Sequence, residues 1–158
     1  MTLALRVPPP LEAGAALPLR AWGYCGNAGR TEATFPATLA FPRAARSLTA
    51  IRCAAPPIAG VTLRCRVEVL EIGVSPALSW GEVWGVRLRK PITGLSFWLD
   101  GPDAGAWHLS WACCFRLLGF SDPAGTGDWR TGLHGKDPLV GLRVALVPPG
   151  AAAEGAPT

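Results

Sequence analysis

At 158 residues this chain has room for one domain with a proper core, and its net charge of +4 comes from cations that are nearly all Arg and stand singly, which speaks against a nucleic-acid binder. It is 49% hydrophobic and only 16% charged, against about 25% charged residues in an average domain, so much of its surface is expected to be hidden, some of it against neighbouring chains. No apolar run reaches the ~18 residues of a membrane helix. The opening MTLALRVPPP carries no marks of a signal peptide, which predicts cytoplasmic synthesis.

Read in chain order, the first predicted element is a short strand over 2–8, with Leu5 and Val7 on one face. Its motif is small, aliphatic, Arg or Ser, apolar. The motif returns as Ala50-Ile51-Arg52-Cys53, Gly94-Leu95-Ser96-Phe97 and Gly141-Leu142-Arg143-Val144, at intervals of 46, 44 and 47 residues. Two further anchors share the spacing. Leu19, Leu63 and Leu109 lie 44 and 46 apart, as do Gly29, Gly73 and Gly119. A period of this kind predicts three repeated units, about 15–57, 58–102 and 103–149, with the strand at 2–8 left over and a tail over 150–158.

Each unit opens on an alternating segment. Leu17, Leu19, Ala21, Gly23 and Cys25 face one way in the first copy, with Arg20, Trp22 and Tyr24 facing the other. Val61 to Val69 and Trp107 to Phe115 repeat the pattern, and period two with one apolar face is a half-buried strand. The stretches APPIAG and DGPDAG are Pro/Gly turn chemistry and predict hairpin connections. A variable stretch after each central glycine (ATFPATLAF, ALSWGEVWGV, GTGDWRTGL) is expected to form a less regular strand before the closing motif. Nothing carries the 3.6-residue period and caps of a helix. The expectation is an all-β fold with a pseudo-threefold internal repeat. Three strands per unit favour a β-prism-like form over the alternative, a β-trefoil, which needs four.

The cysteines are Cys25, Cys53, Cys65, Cys113 and Cys114, an odd count that predicts reduced, buried thiols. Cys53 and Cys65 flank a Pro-Pro turn symmetrically and are candidates to face each other across a hairpin. No metal site is expected, because there is no CxxC and the two histidines have no zinc spacing. His108 falls on the outward face of a strand and His134 in a loop, and no nucleophile elbow, P-loop or dinucleotide fingerprint occurs. The expectation is a protein that is not an enzyme, with no catalytic residues and no cofactor.

Tryptophan carries the most functional content, with seven Trp against a single Tyr. An indole offers a flat apolar face and one polar handle, suited to stacking on a sugar ring or anchoring an interface. The segments SWGEVWG and GTGDWRTG place Trp beside Gly and carboxylates. The candidate ligand-binding residues are therefore Trp80, Trp84, Asp122, Asp128 and Trp129. Arg46, Lys90 and Lys136 each precede a closing strand and are expected on one rim.

The stretch from Gly119 to Leu146, GFSDPAGTGDWRTGLHGKDPLVGLRVAL, resembles the clostridial hydrophobic repeats, and the arrangement extends over nearly the whole chain. That resemblance implies a non-catalytic module of surface or secreted proteins, concerned with adhesion or polysaccharide contact. Two expectations follow: a lectin-like binding module with a glycan or cell-surface receptor as partner, or a structural component (coat, decoration or attachment protein) of a larger assembly such as a phage particle, with neighbouring subunits as partners.

Overall fold

The computed structural model describes residues 9–11, 15–26, 29–42, 46–54, 57–79, 81–85 and 89–150. The expected strand at 2–8 and nearly all of the tail lie outside the described residues. The protein is all-β, with three antiparallel sheets. Among the described residues there is no α-helix, only two short 3-10 turns at Ala104–Ala106 and Leu133–Gly135.

The first sheet is built on β1 (Leu19–Cys25), flanked by β2 (Gly29–Phe35) and β4 (Ala50–Ala54). The second is built on β5 (Thr62–Val69), flanked by β6 (Gly73–Val74) and β7 (Ile92–Asp100). The third is built on β8 (His108–Phe115), flanked by β9 (Gly119–Phe120) and β11 (Leu139–Val147). In each sheet the opening strand is central and the closing motif pairs beside it. Ile51 sits opposite Gly23, Leu95 opposite Val67 and Leu142 opposite Cys113, so the recurring aliphatic meets the same position of each opening strand. All three are buried in one core with Phe35, Phe97, Trp111 and Phe115.

The two remaining strands leave their own sheets. β3 (Leu39–Ala40) pairs with β11 of the third sheet, and β10 (Trp129–Thr131) pairs with β7 of the second. The middle unit sends a single bond the same way, from the Gly81 N–H to the Cys53 carbonyl of the first sheet at 2.7 Å. β3 and β10 thus each cover the edge of another sheet, where a bare edge would template aggregation.

Three expectations are corrected here. The glycine anchors begin return strands (β2, β6, β9) as well as preceding the variable stretches, so residues 15–57 and 103–149 hold four strands each and 58–102 hold three, and the strand-count argument against a trefoil falls. The Pro/Gly segments APPIAG and DGPDAG join different sheets and do not close hairpins, because β4 and β7 find their partners in β1 and β5, upstream in the chain. Cys53 and Cys65 therefore do not face each other across a hairpin. They lie on strands of different sheets, and all five thiols are free.

The return strands differ in length for a local reason. β2 runs for seven residues, whereas β6 and β9 stop after two, where Ser75-Pro76 and Ser121-Asp122-Pro123 follow. Proline lacks the N–H that a ladder needs. In both cases the serine hydroxyl enters the gap. The Val67 N–H donates to Ser75 Oγ at 3.0 Å and the Cys113 N–H to Ser121 Oγ at 3.4 Å. Regular pairing then resumes for one step, Cys65 with Leu78 and Trp111 with Ala124.

Candidate functional site

The outer faces of the three sheets are different surfaces. On the third, Ala112, Cys114, Ala145 and Val147 are all buried although they point away from the core. Arg143 on that face donates to the carbonyls of Pro36 (3.1 Å) and Pro9 (2.7 Å), so the chain itself lies over it. On the first, the Trp22 ring carries the Arg20 and Arg52 guanidiniums at 5.0 and 5.2 Å from its centroid. Arg20 in turn bonds and ion-pairs with Glu32, which holds that carboxyl below the usual range. The second outer face is open.

That open face holds a groove of about 660 Å³, lined by Arg66, Glu68, Val74, Ser96, Trp98, Gly127 and Trp129. Alternation explains the set. Arg66 and Glu68 are among the outward residues of β5, and Ser96 and Trp98 among those of β7, since Val67, Leu95 and Phe97 take the core side. Trp129 arrives from another unit on β10, directly opposite Ser96. The indole of Trp129 is 38% exposed, and the Arg66 guanidinium lies 5.7 Å from the centroid of the Trp98 ring. The Glu68 carboxylate accepts from the Thr93 hydroxyl at 3.4 Å. The arrangement offers an apolar plate, a cation and an acceptor on a floor of paired strands.

The loop before β10 sets the position of Trp129. The Asp128 carboxylate accepts the Gly125 N–H at 2.8 Å, Thr126 Oγ1 accepts the Leu99 N–H at 3.0 Å, and the Gly127 N–H donates to the Phe97 carbonyl at 2.8 Å. Gly127 has φ +81, a conformation an L side chain rarely adopts, and it lines the groove with backbone alone.

Of the five residues expected in the site, Trp129 lines the groove. Asp128 shapes the turn beneath it, and Asp122 contributes only its carbonyl, which accepts from Arg130 Nε at 3.3 Å. Trp84 packs half-buried against the core, away from the groove. Trp80 lies outside the described residues. Arg66, Glu68, Ser96 and Trp98 were missed. Their outward orientation was legible from alternation, but their meeting with Trp129 depends on the pairing of β10 with β7.

The sulfur chemistry is quiet. Cys53 and Cys65 share a narrow crevice with Leu63, Ser79, Glu82 and Phe97. Burial pushes both thiols up to about 12, helped at Cys53 by the nearby Cys65 and at Cys65 by the Glu82 carboxylate. Burial likewise pushes Cys113 up to about 12 and Cys114 to about 11. A thiolate is the reactive form, so these are poor nucleophiles near neutral pH. Among the described residues no group of three His, Cys, Asp or Glu side chains is placed to hold a metal ion. No helix among them is long and apolar enough to cross a membrane.

No family model matches the chain, and neither a curated protein nor a solved structure does.

Proposed function

We propose that this chain is a non-catalytic binding module that holds a saccharide in the groove of the second sheet. The observation that carries the reading is the half-open indole of Trp129 set beside Arg66 and Glu68 on paired strands. A pyranose ring has an apolar face of C–H groups that stacks on such an indole, and hydroxyls that a guanidinium and a carboxylate recognise together. The site needs no large rearrangement, since both its sides are anchored to β7.

The architecture that goes with this reading is β-prism-like, with three sheets as its faces about a pseudo-threefold axis. Its support is the separateness of the sheets, which a trefoil's barrel would merge, and the common pairing of Ile51, Leu95 and Leu142. The starts of the closing strands also meet. The Leu48 N–H donates to the Leu139 carbonyl at 2.8 Å, and the Ile92 N–H to the Leu48 carbonyl at 2.9 Å.

A glycan array probed with the intact chain, followed by titration of any hit into Trp129→Ala, tests the function. Specific binding that falls roughly tenfold or more in the variant is expected, in line with the loss of one stacking contact and its burial. A silent array, or affinity unchanged in Trp129→Ala, overturns it. Silence accompanied by defined oligomers favours the structural component of an assembly instead.

A further inference from the structure

The end of the body where the hairpins turn back combines two properties that the groove does not use. The first is exposed aliphatic surface. Ile72 in the turn after β5 is 49% exposed, and Leu117 and Leu118 in the turn after β8 are 59% and 45% exposed, with Leu133 at 40%. Three of these four are mounted on one buried carboxylate. Asp137 accepts the N–H groups of Leu117 and Leu118 at 2.8 Å each and that of Leu133 at 3.3 Å. Their backbone is tied inward while their side chains stand in solvent.

The second property is positive charge. Arg46, Arg89, Lys90 and Lys136 are all exposed on the loops that precede β4, β7 and β11. Hydrogen bonds bring these loops and the hairpin turns together. The Leu70 N–H donates to the Pro91 carbonyl at 3.0 Å, the Arg116 N–H to the Pro138 carbonyl at 2.8 Å, and Arg116 Nη2 to Ser47 Oγ at 2.7 Å. Arg89 packs on Gly26 at the turn of the first hairpin, where an added Cβ would come within 3.0 Å of it. Among the described residues of these loops the exposed carboxylates are Glu71, paired with Lys90 at 3.2 Å, and Glu82, which accepts the Ser79 N–H at 3.2 Å.

Exposed aliphatic tips ringed by a surplus of cations complement a surface that is anionic outside and apolar beneath. A protein partner fits Lys90 and Lys136 less well, because lysine is depleted at protein interfaces. Lys and Arg can instead lay their stems along apolar material and keep their heads at phosphates. We propose that this end docks on an anionic lipid bilayer, with Ile72, Leu117, Leu118 and Leu133 entering the headgroup layer and Arg46, Arg89, Lys90 and Lys136 meeting lipid phosphates.

Flotation of the full chain with phosphatidylglycerol-rich vesicles, beside phosphatidylcholine vesicles alone, tests this. Binding to the anionic vesicles is expected at about 0.1 M salt, with strong weakening at about 1 M, where the screening length falls from roughly 10 to 3 Å. Leu117→Ser combined with Leu118→Ser should reduce vesicle binding roughly tenfold or more while leaving the melting transition in place, because both side chains are exposed and their N–H bonds to Asp137 persist. Arg89→Glu with Lys136→Glu should abolish the preference for anionic vesicles. Failure to float with phosphatidylglycerol, or equal flotation by the serine variant, overturns the proposal. Self-association of the chain that the serine variant abolishes, without vesicle binding, overturns it in favour of a second copy as the occupant.

Discussion

The indole of Trp129 lies against Gly94. A Cβ placed on that glycine would come within 3.1 Å of Trp129 Cζ2 and 3.0 Å of Thr131 Cγ2. The small residue that opens the second copy of the closing motif is therefore what lets β10 approach β7. Gly94→Val should push β10 outward and destabilise the fold by about 1–3 kcal/mol through overpacking. The same variant should shift the tryptophan emission of the native state. Urea unfolding measures the first effect, and a midpoint equal to that of the parent protein would contradict this packing.

Asp137 is 1% exposed and serves three backbone donors from two segments. Asp137→Ala leaves those N–H groups without their acceptor, at a cost of about 2–3 kcal/mol for hydrogen bonds to a charged group. Hydrogen exchange localises the effect, since the amides of Leu117, Leu118 and Leu133 should lose protection before those of β11. Unchanged exchange at these three would show that Asp137 does not hold the turns.

Ser75 repairs a ladder that Pro76 interrupts. Its hydroxyl accepts the Val67 N–H and donates to the Pro76 carbonyl at 2.8 Å. Ser75→Ala should cost about 1–2 kcal/mol, whereas Ser75→Thr should retain most of the bond. If the alanine variant melts with the parent, the hydroxyl is not what bridges the gap in the ladder.

Four thiols link stability to alkaline pH. In the unfolded chain each ionises near its usual 9.0, while burial raises Cys53, Cys65 and Cys113 to about 12 and Cys114 to about 11. The folded state thus holds these protons more tightly. The stability they contribute is complete below pH 9 and is lost as pH rises from about 9 toward 12. Urea midpoints at about pH 8 and about pH 10.5 should differ in that direction, and a flat profile counts against the burial of these groups. At about pH 8 the native thiols should also alkylate far more slowly than in urea.

Much of the fold was legible because alternation is a local property. The inward sets Leu19/Ala21, Leu63/Val67 and Leu109/Trp111/Cys113 follow from period two once a strand is assumed, and all are buried. The repeat interval aligned Ile51, Leu95 and Leu142, and each meets its opening strand at a matching step. Trp111 as a core residue was equally plain, and it is 0% exposed with its ring 5.2 Å from that of Phe97. The site was legible only in part. Trp129 was singled out for its glycine and carboxylate neighbours, and it lines the groove. Trp84 has the same kind of neighbours and packs half-buried on the core instead, so local composition alone does not distinguish the two.

What the order of residues decided by itself was the all-β character and the faces of the strands, since each rests on contacts between near neighbours along the chain. What only the tertiary structure decided was the passage of β3 and β10 to sheets other than their own, and with it the groove that joins Trp129 to Trp98, Arg66 and Glu68. The reason is physical. An edge strand's free N–H and C=O groups accept any extended segment in reach, and which one arrives depends on how all three sheets pack around their shared core.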